Sequence, residues 1–365
     1  MIQNTDKPKF AVIYEQKDIT NAITPYLLEI TYTDYLSDQS DEITLTLEDV
    51  NGDWLYDWYP DNRDGVELSL ADDTGELMSL GRFEISEIEY RYPPSVVVLK
   101  ALSTGISKRN RTIKAKVYDN TTLADIVRAV AKRLNLSVTG RIREIKITTV
   151  TQYQERDVEF LTRLAKTYGH SFKIVDKTLV FYDNEKLGEN EAVAVLDKTS
   201  VIDVRFRDVI KDTPSEVQIS TYNTQKKQTI TKTAKPKPKR KGAKPTTTDT
   251  LKITAPNNAT DGEAQAMANA HAQNQADEQI AGEIELVGNA MLVAGQTLLV
   301  NDFGKFSGKY LVKQARHTLS NQGFLTTIEI KMLEYIDPKM SDPKSEPKPD
   351  PKDNETQENT NELHP

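Results

Sequence analysis

In the first hundred residues apolar side chains recur at every second position, in one short run after another, and no other feature of the chain restricts its fold as much. In DEITLTLEDV the residues Ile43, Leu45 and Leu47 share one side, and only a β-strand points successive side chains to opposite faces. GVELSLADDTGELMSLGRFEISEIEY repeats the pattern with Val66, Leu68 and Leu70. It breaks at the turn sequence DDTGE and resumes with Phe83 and Ile85 on a strand whose other side carries glutamates. Short strands joined by such turns pair antiparallel. SVVVLKAL, residues 95–102, is apolar on both sides and suits a central strand.

The period then changes. In TTLADIVRAVAKRLNLSV the residues Leu123, Ile126, Val127, Val130 and Leu134 fall at helical spacing behind Thr122 and Asp125, and Asn135 is placed to stop the helix. IREIKITTV returns to strand. ERDVEFLTRLAKTYGHS, residues 155–171, predicts a second helix, with Val158, Leu161, Leu164, Ala165 and Tyr168 on one stripe. Glu155, Asp157 and Glu159 lie in its first turn, where the helix dipole favours anions, and Gly169 is the left-handed residue behind it. FKIV and TLVFYD, separated by Asp176 and Lys177, form a hairpin. Residues 115–185 therefore read as a small α/β module inserted between two β-rich regions, 1–114 and 186–335. The expected class is a β-rich α+β fold.

The second β-rich region is interrupted twice. After the alternating run EVQISTYN the composition turns basic and rich in Pro and Thr, KKQTITKTAKPKPKRKGAKPTTTD, which predicts a flexible, solvated loop over residues 226–250. An Ala-rich stretch at 261–281 predicts a helix. Strands follow, the last with Ile328, Ile330 and Met332 on one side, and residues 336–365 read as a disordered polar tail.

Several chemistries are excluded or lack support. With no cysteine, the chain has no disulfide, thiolate zinc site or cysteine nucleophile. It starts without an apolar leader and has no run long enough to span a bilayer, so we expect synthesis and folding in a cytoplasm without membrane insertion. A formal net charge of -8 argues against specific nucleic-acid binding by the protein as a whole. Of the four histidines, His170 directly follows Gly169 and reads as the exit from a helix, with no nearby pattern that would make it a base. His317 lies on an expected strand and suits a cross-strand hydrogen bond or a solvent-facing position; His271 is in the Ala-rich helix without a metal-binding partner, and His364 is in the tail. GKFSGKY fails as a phosphate loop, because its glycines are separated by three residues and Tyr310 follows Lys309. No catalytic residue, metal site or cofactor is expected. Lys235, Lys237, Lys239, Arg240 and Lys241 form a basic stretch in an acidic chain and suggest docking on an acidic protein surface; without aromatics they have no means of reading bases.

The linear order carries a resemblance. A β region is followed by the helix with TLADIV, the strand, DVEFLTRLAKTYGHSF, the hairpin TLVFYD, further β structure and a GKFSGKYLVKQARH hairpin. This resembles the phage late control protein D family, the hub proteins of contractile phage tails, which are similar to the hub part of type VI secretion spike proteins. The best-matching residues are Asp157 to Phe172 and Thr178 to Asp183, supported by Thr122 to Leu136 and Ala294 to His317, and the likeness extends over about residues 1–335.

The resemblance implies a non-enzymatic structural protein in which 1–114 and 186–335 are two tube-like antiparallel β-barrel domains. Three subunits would form a pseudo-sixfold ring joining the tail tube protein to the central spike protein, with other baseplate proteins and the tape measure protein as neighbours. The protein would sit in the virion baseplate after assembly in the host bacterial cytoplasm, and an acidic lumen would repel passing DNA. Leu161, Leu164, Ala165, Tyr168 and Gly169 then seat one helix on a small sheet. Two alternatives stand beside this reading. One is a peptidoglycan-binding or peptidoglycan-degrading tail component, since TLADIVRAVAKRLNLSV has a faint likeness to glycan-binding repeats; residues after 335 are too few and too polar for a hydrolase. The other is the hub of a bacterial contractile secretion system, which would be expected to continue into a β-helical needle.

Overall fold

The computed structural model describes residues 10–336 except 38, 62–63, 72–73, 104–111, 210–213, 238, 240–248 and 278. The alternating runs form one thirteen-stranded sheet, almost wholly antiparallel. Its path runs from Asp203–Asp208 through Ile280–Val287, Gly323–Tyr335 and Gly308–Ser320 to Leu27–Tyr35, Glu42–Glu48, Val96–Ser103, Leu77–Arg91 and Gly65–Ala71, ending at Phe10–Tyr14 and Lys17–Asp18. Thr297–Val300 branches from Gly308–Ser320 and carries Ala192–Leu196, which joins it in parallel.

The two β-rich regions are joined edge to edge by backbone hydrogen bonds. Gly308–Ser320 pairs with Leu27–Tyr35 in a register that sets Arg316 opposite Thr33 and His317 opposite Tyr32. Each region keeps its own core on the same side of the shared sheet. One is built on Ile30, Ile43, Leu45, Leu47, Phe83 and Leu99, the other on Ile284, Tyr310, Val312, Ile328, Ile330 and Met332.

The α/β module folds as its helical periods require. In the helix Leu123–Leu134 the Thr122 side chain accepts a hydrogen bond from the Asp125 amide at 3.1 Å, and Asn135 closes the helix in the left-handed conformation. The second helix is Asp157–Tyr168; Glu159 accepts from the Arg156 amide at 2.9 Å, and Gly169, at φ +71°, ends it. Gly169 has a second duty. A Cβ there would lie 3.2 Å from the Cβ of Ala270, so the glycine also lets another helix approach closely.

That approaching helix corrects the expected organisation. It spans Asp261–Asp277 and stops short of the expected limit of 281, because a strand begins at Ile280. Its Ala264, Ala268 and Ala272 belong to the core of the α/β module, together with Val217 and Ile219 from a three-stranded sheet of Gln228–Ala234, Glu216–Asn223 and Thr250–Thr254. Residues expected to interrupt the second β region thus complete the module instead. A helix of small side chains packs its backbone close to its neighbours, and the Tyr168 hydroxyl donates across to Glu263 at 3.0 Å.

The expected flexible loop over residues 226–250 is also corrected. It opens with a strand, Gln228–Ala234, whose Thr229, Ile230, Thr231 and Thr233 are β-branched and pair in register with Glu216–Asn223. Residues 240–248 and 337–365, including the expected polar tail and His364, lie outside the described residues.

Candidate functional surfaces

The predicted packing residues lie inside. Leu161, Leu164, Ala165 and Tyr168 are buried, and so are Phe160 and Asp157 on the same helix. His170 follows at once and is only 3% exposed. Its Nδ1 lies 3.0 Å from the Tyr168 carbonyl, and its Nε2 accepts from the Arg143 amide at 3.1 Å. Burial pulls its pKa down to about 4, so the ring stays neutral. His317 is fully buried, stacked on Tyr32 at 5.7 Å between ring centroids, with Nδ1 3.0 Å from the hydroxyl of its cross-strand partner Thr326. Burial brings its pKa to about 4 as well. His317 pairs with a side-chain hydroxyl, and both ring nitrogens of His170 are taken up by backbone groups. His170 also borders a cavity of about 250 Å³ lined by Ser37, Ser171, Lys166 and Asp277. His271 is half-buried in the helix Asp261–Asp277.

The polar positions of the alternating strands form the largest feature. The cores lie on one side of the sheet, so between its bulges the intervening residues point to the other. The registers align these residues into rows that cross both β regions. One row runs Asp203, Glu285, Thr327, Arg316, Thr33, Glu42. The next runs Thr318, Thr31, Thr44, Lys100, Glu87, and Glu283 faces Glu329 nearby. Polar residues cross eight adjoining strands on this face, with Val96, Val98 and Leu102 as an apolar interruption on Val96–Ser103, and the carboxylates of the rows outnumber their cations. In the sequence this half shows only in part, as the glutamates opposite Phe83 and Ile85. The signal was the same period, read at the positions between.

Two buried clusters of charge hold the α/β module against the sheet. At the first, Lys173 of the strand His170–Val175 reaches Asp34 and Asp41. Asp34 also accepts from the Ala294 amide at 2.7 Å, and the Ser37 hydroxyl accepts from the Phe172 amide at 3.1 Å, so both β regions and the module meet there. At the second, Asp277 at the end of its helix accepts from Lys239 at 2.7 Å and from Lys331, on the strand Gly323–Tyr335, at 2.6 Å.

The phage tail baseplate hub (GPD) family matches residues 102–323, more than half of the chain. The chain belongs to this family. Over 180 residues, 49% of the chain, it is 29% identical to the probable baseplate hub protein of Escherichia phage P2, and the match covers 46% of that protein. The chain thus spans about half the length of this curated relative. A tail protein from Neisseria meningitidis MC58 superposes with a TM-score of 0.66, covering 90% of this chain and 97% of its own at 14% identity. The 43 kDa tail protein of prophage MuSo2 from Shewanella oneidensis gives a TM-score of 0.62, covering 90% of this chain and 100% of its own at 14% identity. At such identities the likeness is one of fold.

The hub-family match takes in the whole α/β module and the strand Gly308–Ser320 that joins the two β regions. It also takes in the basic stretch, which the structure divides. Lys235 and Lys237 are exposed. Lys239 is 4% exposed and committed to Asp277, so it is not available to a docking partner as expected. Arg240 and Lys241 lie outside the described residues. Among the described residues no helix is long and apolar enough to cross a membrane.

Proposed function

We propose that this protein is the structural hub of a contractile phage tail baseplate, acting as a homotrimer that joins the tail tube to the central spike. The observation that carries the reading is the single sheet on one face of which rows of mainly acidic and polar side chains cross both β regions. Such a face suits the wall of a conduit. Three copies present six β regions, which would give a trimeric assembly a nearly sixfold surface on one side. An excess of carboxylates on a wall repels phosphate and keeps DNA from adhering. In this reading the protein has no catalytic turnover, resides in the virion baseplate and assembles in the host cytoplasm beside the tube, spike and other baseplate proteins. Membership of the hub family supports it.

The test is the mass of the protein in solution, alone and with the spike protein of the same particle, followed by electron microscopy of particles lacking the hub candidate. A trimer and tail-less or baseplate-less particles are expected. A strictly monomeric protein whose loss leaves complete particles would overturn the reading, and cleavage of purified peptidoglycan by the isolated chain would overturn its non-enzymatic part.

A further inference from the structure

Both tryptophans of the chain lie in one short stretch, Asp53 to Pro60, that neither core absorbs completely. Trp54 is buried and Trp58 is 43% exposed; the rings meet edge to face at 5.6 Å. Around them stand Val50, Leu55, Tyr56 and Tyr59, all large and exposed, the densest such group among the described residues. The stretch borders a cavity of about 390 Å³ at the end of the N-terminal core, walled by Val12, Ile23, Leu45, Trp54, Trp58 and Tyr59. The enclosed Trp54 Nε1 has no hydrogen-bond acceptor among the described residues.

A contiguous exposed apolar patch beside a preformed cavity marks a contact site, because a monomer gains nothing by leaving it in water. The surrounding charge selects the partner. The cavity lining includes Asp57 and Lys17. The two segments that supply these residues add Glu15, Asp18, Asp53, Asp61 and Asp64, against one further cation, Arg63, which lies outside the described residues. Asp64 accepts a hydrogen bond from Tyr14, and Glu15 pairs with Arg82 at 3.3 Å. Asp57 has no partner among the described residues and stands exposed at the mouth.

We propose that this cavity receives an aliphatic side chain from a basic segment of a neighbouring protein, the anchor entering between Trp54 and Trp58 while its flanking lysines or arginines face the acidic rim. The identity of that protein as a neighbour in the particle rests on the hub reading; the cavity and its charge do not. Apolar burial supplies affinity, and the rim excludes acidic competitors.

Tryptophan emission reports on this stretch alone, so the test uses the full-length chain. It is titrated with an acetylated, amidated heptapeptide of six lysines around a central leucine. Two control peptides carry glycine at the centre or glutamate in place of lysine. A saturable change in emission is expected with the first peptide, and binding about tenfold weaker or worse with the glycine control, the loss expected for one buried aliphatic side chain. The glutamate control should not bind. Ala22→Phe, which enters the cavity from an exposed position, and Asp57→Lys should each weaken binding while far-UV circular dichroism stays unchanged. Equal responses to the leucine and glycine peptides, absence of saturation, or indifference to Ala22→Phe would overturn the proposal. So would a concentration-dependent emission shift without peptide, which would assign the cavity to a second copy of the chain. Complete particles formed without the protein would count against the hub reading only and leave this titration readable.

Discussion

One joint between the α/β module and the sheet sets a lysine between two carboxylates, and the other sets a carboxylate between two lysines. The arrangements are mirror images in charge but not in mechanical freedom. Asp34 and Asp41 are short side chains fixed by the Ala294 and Tyr35 amides, at 2.7 Å and 3.0 Å respectively. If Lys173 is lost they cannot reach water. Lys239 and Lys331 have long stems, and such side chains can carry an orphaned charge to the surface. The comparison teaches that the residue at the centre of a buried charge cluster matters according to how its neighbours are tethered.

The comparison breaks most visibly at the first joint. Lys173→Met keeps the volume but leaves two buried carboxylates facing each other, and a loss of about 3–5 kcal/mol is expected. Urea unfolding followed by circular dichroism reads this as a lowered midpoint with an unchanged slope. Adding Asp34→Asn to Lys173→Met should restore part of the loss; no recovery would mean that the lysine acts through packing alone.

A smaller effect is expected at the second joint. Asp277→Leu frees two lysines that can rotate outward, and the loss should be about 1–2 kcal/mol. A cost equal to that of Lys173→Met would remove the proposed role of tethering.

The finest distinction is in pH. Burial raises Asp41 to about 7, with the charge of Asp34 adding to the rise and Lys173 opposing it. The folded state therefore holds a proton that the unfolded state releases near pH 4, and this group's contribution is complete below about 4 and declines as pH rises to about 7. Burial also pushes Asp277 up, but Lys331 and Lys239 more than reverse this, and its pKa ends below the ordinary value. Its contribution is present above about 4 and is lost as pH falls further. The stability difference between wild type and Asp41→Asn should accordingly vary with pH between about 4 and 7, and that of Asp277→Asn only below about 4. Parallel curves for the two variants would erase the contrast between the joints.

The chain itself was legible wherever a physical constraint is local. The helix Asp157–Tyr168 and its end at Gly169 followed from an apolar stripe and the need for a left-handed residue, and the β-rich class followed from alternation. The stretch around Trp54 and Trp58 was passed over, although two tryptophans four residues apart among acids and tyrosines are visible in the sequence. They match a single helical turn that no longer apolar stripe extends, so a search for sustained periods does not stop at them. Gln228–Ala234 was read as loop because lysines and prolines nearby hid a run of β-branched residues.

Tertiary structure decided which distant pieces meet. The pairing of Leu27–Tyr35 with Gly308–Ser320 joins segments from opposite ends of the chain, and the local pattern of either strand is satisfied by any edge that offers hydrogen bonds. The helix Asp261–Asp277 likewise shows no dominant apolar stripe, so its place in the module depends on Gly169 opening room beside Ala270. The burial of Lys239 depends on Asp277, 38 positions away. Period, cap and turn are properties of a few successive residues and can be read in order. Sheet register, close helix contact and the pairing of buried charges are set by whichever surfaces the folded chain brings together, and only the folded chain contains that information.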